Sequence, residues 1–294
     1  QEVAETALKN NIEKIRNGGF SNRYDAKGGC VAVIDVHSGE ILAMASNPDY
    51  DPNAWVGGIS VAEYNQIKEN NSLFNKAISG SYAPGSIFKM VTALAGLESG
   101  VISTTEKIND TGIYTRYRDY QPRCWYYNSY HRGHGYLDVS GAIEKSCNYF
   151  FYETGNRMGI ETLDKYANYF GLGRKTGIEL PSETSGTLAS PEAAKKANET
   201  WSSGQTLQAA IGQSYNSFSP IQLVKYIGMV ANGGNKIRPT LIKRILNADG
   251  TESSKTEINE YVKEKLGLDD DNTENLTFSG TNINAVLEGM RSVT

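Results

Sequence analysis

The sequence predicts an α/β chain, and three observations carry that reading. Two apolar runs, Cys30–Val36 and Glu40–Ala45, flank a Ser38-Gly39 turn, the pattern of a buried β-hairpin. A Gly/Ser/Pro-rich segment, Ser79–Gly85, opens into the strongly apolar helical stretch Ser86–Glu98. Further stretches of helical spacing precede and follow these two elements. With 39% hydrophobic and 21% charged residues in 294, the chain is long enough for one large α/β domain and is not a disordered or fibrous sequence. The net charge of −4 shows no footprint of a nucleic-acid binder. No apolar run approaches ~18 residues, so no transmembrane helix or signal core is visible. Three Cys exclude a disulfide-stapled scaffold, and 18 Tyr suggest aromatic-lined enzyme surfaces.

The elements follow in order. Val3, Ala4, Ala7, Leu8, Ile12 and Ile15 fall on one helical face, closed by Gly18-Gly19. Asn47–Asn53 is turn chemistry, where the chain must leave the sheet. A polar helix is expected near 60–70. Residues 103–136 are polar, aromatic and aperiodic, the pattern of a long surface loop. Val139–Met158 reads as helix, with short helices near 161–170 and 190–197. Ser219-Pro220 starts another, ended by Asn232-Gly233-Gly234. A strand near Thr240–Leu246, an acidic linker at Asp269-Asp270-Asp271 and a last helix to Met290 complete the chain.

Ser86 and Lys89 lie three apart, one turn on a common helix face. Ser86 alone could be an N-cap and Lys89 a solvated lysine. Yet lysine is disfavoured at the positive end of a helix. That field, with burial beneath Phe88 and Met90, lowers its basicity and makes it a usable base. A serine beside such a lysine is an activated nucleophile.

Ala83-Pro-Gly-Ser-Ile-Phe-Lys89 resembles the active-site motif of penicillin-binding protein transpeptidases. The surroundings agree: Ile34-Asp35 with Ser38-Gly39-Glu40, Pro48–Asn53, Asn75-Lys76-Ala77, Phe170–Gly173, Thr176–Pro181, Ile211-Gly212-Gln213 and Ser219–Leu223. Together they resemble a class B penicillin-binding protein of the elongation type, over nearly the whole chain. The resemblance implies the penicillin-binding protein/β-lactamase-like transpeptidase fold, an α/β fold with a five-stranded antiparallel sheet flanked by helices. It implies a peptidoglycan D,D-transpeptidase that cross-links stem peptides through a serine acyl-enzyme and is inhibited covalently by β-lactams. Ser86 would be the nucleophile and Lys89 the general base. Ser146-Cys147-Asn148 fits the second motif, within the helical run, with Ser146 relaying protons and Asn148 holding the substrate amide. Alternatives on the same fold are a β-lactamase or D,D-carboxypeptidase, and a β-lactam sensor.

Two other matches are decoys. Ser214-Tyr215-Asn216 sits in a segment the family uses structurally, and Lys175-Thr176-Gly177 comes too early, in a loop. The family's true Lys-Thr/Ser-Gly motif follows the helix at Ile283–Met290. The resemblance thus implies that 1–294 is a transpeptidase domain incomplete at its C-terminus. A membrane anchor and a non-catalytic module would precede Gln1, with the catalytic domain extracytoplasmic and a glycosyltransferase as partner.

Two Cys and two His fall between 124 and 147. Cys124, His131, His134 and Cys147 offer zinc-type donors, at spacings unlike a zinc finger's. The expected structural zinc ligands are Cys124, His134 and Cys147, the fourth being Asp119 or, less favoured, His131. The acid in Arg116-Tyr-Arg-Asp119 and His134-Gly135 also match elongation-type relatives. A Cys124–Cys147 disulfide is the rival, and a catalytic zinc is a third reading. No cofactor is expected for the chemistry. Cys30 reads as a buried small residue and His37 as solvated.

Overall fold

Asp35 makes the hairpin: its carboxylate accepts from the backbone N–H groups of His37 (2.9 Å) and Ser38 (2.7 Å), and Gly39 takes the left-handed position at φ 81. That turn pairs β1 (Gly29–Ile34) with β2 (Ile41–Asn47) antiparallel, from Gly29 opposite Asn47 to Ile34 opposite Ile41. In this computed structural model residues 1–267 and 275–294 are described; the expected linker Asp269-Asp270-Asp271 lies outside them. The helix α1 (Glu2–Arg16) packs on the hairpin, burying Ile12. After Pro52–Trp55, a single 3-10 turn, comes α2 (Val61–Glu69), opened by a Ser60/Glu63 capping box.

A second 3-10 turn, Gly85–Phe88, leads into α3 (Lys89–Glu98), the centre of the core. Residues 89–97 are all buried, because helices cover α3 on several sides. Fully burying Val91, Leu94 and Phe88 contributes roughly 1.5–3 kcal/mol each. Gly96 lets a neighbour close in: a Cβ there would lie 2.6 Å from Thr154 Cγ2.

The segment 103–136, expected as a loop, is instead built. It holds β3 (Ile108–Asp110), α4 (Trp125–Tyr130) and the start of β4 (Gly135–Leu137), with Asp110 opposite Gly135. Its order comes from side chains that converge from distant positions, which periodicity cannot show. The expected helix 139–158 is two helices, α5 (Val139–Glu144) and α6 (Asn148–Tyr169). Ser146, at φ 48, breaks them apart, so the second motif lies at a helix junction rather than inside a helix. Gly159, at φ 75, kinks α6 where the second expected helix begins.

Then follow α7 (Pro191–Lys196), α8 (Ser203–Ala210), α9 (Pro220–Ala231), α10 (Lys255–Leu266) and α11 (Gly280–Arg291). The helix α9 covers β1, and α11 packs on α5 and α3. The α/β class holds. The five-strand count does not appear: the described residues carry the pairs β1–β2 and β3–β4 and isolated bridges. The expected strand at 240–246 gives only a parallel bridge between Thr240 and Glu40 and a local antiparallel one between Leu246 and Glu252. Glu179 holds the start of this segment, accepting from Arg238 (2.6 Å), Thr240 Oγ1 (2.8 Å) and the Leu241 N–H (2.8 Å). No helix among the described residues is long and apolar enough to cross a membrane.

Candidate active site

Ser86 is not a cap. Pro84 and Phe88 hold the N-cap positions of the 3-10 turn and of α3, which leaves the Ser86 hydroxyl exposed and unused by any cap. The turn is clamped from behind. The Gly85 N–H donates to the Gly212 carbonyl (2.9 Å), and the Tyr226 hydroxyl donates to the Ile87 carbonyl. Gly212 must be glycine here: it has φ 75, and a Cβ would lie 2.1 Å from Gly85 O.

One turn on, Lys89 is 1% exposed. Its ammonium donates to Ser146 O (2.8 Å), Ser146 Oγ (3.0 Å) and Asn148 Oδ1 (2.6 Å). These three bonds use the full donor capacity of the ammonium. Burial pushes the Lys89 amine down to about 8, partly opposed by the nearby Cys147 and Cys124 sulfurs. Ser146 Oγ in turn donates to Ser86 Oγ (2.9 Å). Ser146 therefore stands between the Ser86 hydroxyl and the Lys89 amine. All four residues expected at the reaction centre are brought together.

The left-handed turn at Ser146 costs about 1–2 kcal/mol in a non-glycine residue. Its neighbours hold it. The Trp125 indole N–H lies 3.1 Å from Lys145 O and 3.0 Å from Ser146 O, and the Cys147 N–H donates to Ala142 O (2.9 Å). Trp125→Phe removes that indole donor. It is expected to slow β-lactam labelling of Ser86 about tenfold while costing only about 0.5–1.5 kcal/mol of stability. A labelling time course beside a thermal melt measures both.

Behind Ser146 lies a buried cluster of Asp110, Cys124, His134 and Cys147, whose donor atoms all fall within 4.8 Å of one another. His134 Nδ1 is 2.7 Å from Asp110 Oδ2, the Cys147 thiol donates to the same oxygen (3.3 Å), and Cys124 Sγ is 3.6 Å from His134 Nδ1. Burial works against charge on Asp110. Hydrogen bonds from His134, the Gly112 and His134 N–H groups and Cys147 outweigh it and hold the carboxyl below its ordinary range. Burial pushes the Cys147 thiol far up, while its hydrogen bond to Cys124 pulls that thiol down.

Three of the expected metal ligands are in this cluster and Asp119 is not. The β3–β4 pairing sets Asp110 beside Gly135 and hence His134, whereas Asp119 is exposed in a cleft with Tyr117 and Tyr120. His131 is excluded too, exposed at the left-handed C-cap of α4 (φ 55). Cys124 and Cys147 are free thiols, so the disulfide is not formed. Two thiols, an imidazole and a carboxylate form a donor set that suits a closed zinc site. Sequence reasoning missed Asp110, for which the Asp-Thr-Gly turn at 110–112 is the one local signal, and gave Trp125 no role although Cys124-Trp125 also resembles elongation-type relatives.

The decoys are structural. The Asn216 side chain accepts from the Ala189 N–H (3.0 Å) and donates to Ala209 O (3.1 Å). Thr176 and the Gly177 N–H are bound by buried Glu183. Cys30 is half-buried and His37 exposed at the turn.

Known proteins are similar to this chain in sequence and in fold. The family model described as penicillin binding protein transpeptidase domain matches residues 29–294. The peptidoglycan D,D-transpeptidase MrdA of Acinetobacter baumannii is 34% identical over 232 residues, 76% of this chain and 33% of its own length. The chain thus spans about a third of that relative's length. The crystal structure of Pseudomonas aeruginosa PBP2 has a TM-score of 0.74 at 31% identity, covering 95% of this chain and 59% of that one. The Helicobacter pylori complex of PBP2 and MreC gives 0.71 at 27%, covering 96% and 47%. With a family model spanning both motif segments and these solved folds overlying nearly all of it, the chain belongs to the penicillin-binding protein transpeptidase domain family.

Proposed function

We propose that this domain is the catalytic part of a peptidoglycan D,D-transpeptidase. The observation that carries the reading is the hydrogen-bonded path Ser86–Ser146–Lys89, with an exposed hydroxyl at one end and a buried amine at the other. Neutral Lys89 accepts a proton from Ser146 as Ser146 takes that of Ser86, reversing the donor direction seen with the ammonium. Ser86 Oγ attacks the carbonyl of the penultimate D-Ala of a stem peptide. The C–N bond to the terminal D-Ala breaks, and the leaving amine recovers the proton through Ser146. An amine of a neighbouring strand then attacks the ester, loses its proton by the same path and restores Ser86. Asn148 positions the substrate amide, and the Ser86 N–H supplies one oxyanion donor. In a β-lactam the broken amide is part of a ring, so the leaving amine stays tethered and the acyl-enzyme persists.

The chemistry needs no cofactor. A zinc ion would be held by Asp110, Cys124, His134 and Cys147, and its bound form would be structural, fixing the 108–137 excursion to the start of α6. Attachment to a membrane through an N-terminal anchor and a glycosyltransferase partner complete the proposal. Support for a multiprotein setting comes from the relatives: Helicobacter pylori PBP2 is found with MreC, and another structural neighbour belongs to a peptidoglycan synthase complex.

Intact mass spectrometry with benzylpenicillin tests the reading. Wild type is expected to gain one covalent adduct and Ser86→Ala none. An adduct of equal yield on Ser86→Ala would place the nucleophile elsewhere.

A further inference from the structure

Beside the catalytic centre lies a cleft of ≈ 800 Å³ that the chemistry above does not use. Four rings line it, Tyr117, Tyr120, Trp201 and Tyr215, together with two carboxylates, Asp119 and Glu199, and no Lys or Arg. The rings are pinned by their polar ends. Tyr117 donates to Asn156, Gln208 donates to the Tyr120 hydroxyl, Trp201 Nε1 donates to Thr206 Oγ1 (3.0 Å) and Tyr215 donates to Glu199. With the polar ends of the rings engaged, the aromatic carbon surface and the carboxylates remain as the lining a ligand would meet. No hydrogen bond or ion pair from the described residues engages the Asp119 carboxylate, which is exposed. Aromatic faces and carboxylates together bind ammonium groups, by cation–π attraction and by charge.

The cleft is joined to the reaction centre through the backbone. The helix α8, which forms one wall, runs into Gly212, and Gly212 clasps Gly85 next to Ser86.

The transpeptidation proposed above dictates which ammonium is present. A stem peptide that serves as acceptor must carry a free amine. Donor and acceptor are copies of one peptide, so the donor arrives with its own amine as well. The terminal D-Ala leaves, so that amine lies on a residue before the D-Ala pair, on the part of the donor that stays with the enzyme. We propose that the cleft is the subsite for the side-chain ammonium of the donor stem peptide, with Asp119 and Glu199 as specificity-determining residues. The inference rests on the transpeptidase reading. It gives the enzyme a means of preferring stems whose amine is still unlinked over those already cross-linked through it.

The test uses the protein at its full native length and three D-Ala-D-Ala-terminated donors. They carry an upstream lysine that is free, acetylated or succinylated. The quantity read is the ratio of kcat/KM for D-Ala release between donors within each variant, which cancels differences in folding and in Ser86 competence. Wild type is expected to favour the free amine over the acetylated donor by about tenfold. In Asp119→Asn/Glu199→Gln the ratio is expected to fall to about one. In Asp119→Lys/Glu199→Lys the preference is expected to turn to the succinylated donor, which a merely structural role would not produce. A wild-type ratio near one, or a ratio unmoved by either double variant, overturns the subsite while benzylpenicillin labelling keeps the transpeptidase reading. Failure of wild type to react with every donor and with benzylpenicillin overturns that reading and the subsite with it.

Discussion

Acylation of Ser86 by benzylpenicillin is expected to speed up as pH rises and to level off above about 8, and Lys89→Ala is expected to lower the plateau about a thousandfold. The argument starts from the protonation state. The ammonium donates three hydrogen bonds and has no lone pair, so it cannot take a proton from Ser146. The neutral amine can. Burial penalises the charged form, and for lysine that lowers the pKa from its ordinary value to about 8. The sign follows: below that value the competent form falls tenfold per pH unit, and above it the rate no longer changes. An exposed lysine would leave the rate still climbing at about pH 10. Lys89→Arg is not expected to rescue, because a guanidinium does not deprotonate in this range. Stopped-flow acylation from about pH 6 to 10 gives the profile, and a melt of each variant separates lost chemistry from lost fold. A flat profile, or an alanine variant within tenfold of wild type, would remove Lys89 from the base role.

The Ser86/Lys89 pair was legible in the sequence because the relation is local: three residues apart on one helical turn, after a Pro-Gly entry. Ser146 and Asn148 were legible only through family resemblance, since two small polar residues in an amphipathic stretch carry no signal of their own. What the sequence concealed there was the chain break. Ser146 occupies a left-handed conformation that glycine or asparagine would have announced. Asp110 was hidden for a different reason. It joins Cys124, His134 and Cys147 through the β3–β4 pairing and a turn, contacts that no periodicity encodes, so Asp119 looked as good. The helices α8 and α10 went unread although each carries a capping box, Ser202 with Gln205 and Ser254 with Glu257. Their apolar faces are short: α10 buries only Ile258 and Val262. The strand at 240–246 stops after one bridge to Glu40: the Ile242 N–H, next in line for β2, donates to Thr240 Oγ1 (3.1 Å), and the Leu241 N–H on the other side donates to Glu179 (2.8 Å).

Cys147→Ser is expected to lower the melting temperature by on the order of 10 °C and to slow acylation with it, and chelation of the wild type is expected to do the same. Cys147 sits between the two residues of the second motif and caps α6, where the Phe150 N–H reaches its sulfur (3.4 Å). Cys124 immediately precedes Trp125, whose indole holds the Ser146 carbonyl. The cluster thus grips both sides of the turn that sets Ser146 between Ser86 and Lys89. A serine hydroxyl can still donate to Asp110 but does not supply the thiolate a zinc site uses, so a bound ion and Asp110 would be left buried with incomplete pairing, a defect that costs roughly 3–5 kcal/mol when charge is involved. At about 2–4 °C per kcal/mol for a domain of this size, the melt falls by the stated amount. Asp110→Asn is the sharper variant, because it keeps the shape of the side chain and removes only the charge. If the cluster holds zinc, metal analysis of the natively purified protein gives about one ion per chain, and Asp110→Asn lowers that occupancy whereas Asp119→Asn leaves it unchanged. A metal-free native protein whose melt does not respond to chelator would reduce the cluster to a hydrogen-bonded knot. Loss of metal in Asp119→Asn would return that residue to the ligand set. In either case Trp125 still links the cluster to the nucleophile, so the size of the acylation defect in Cys147→Ser reports how much of the catalytic geometry is held from behind.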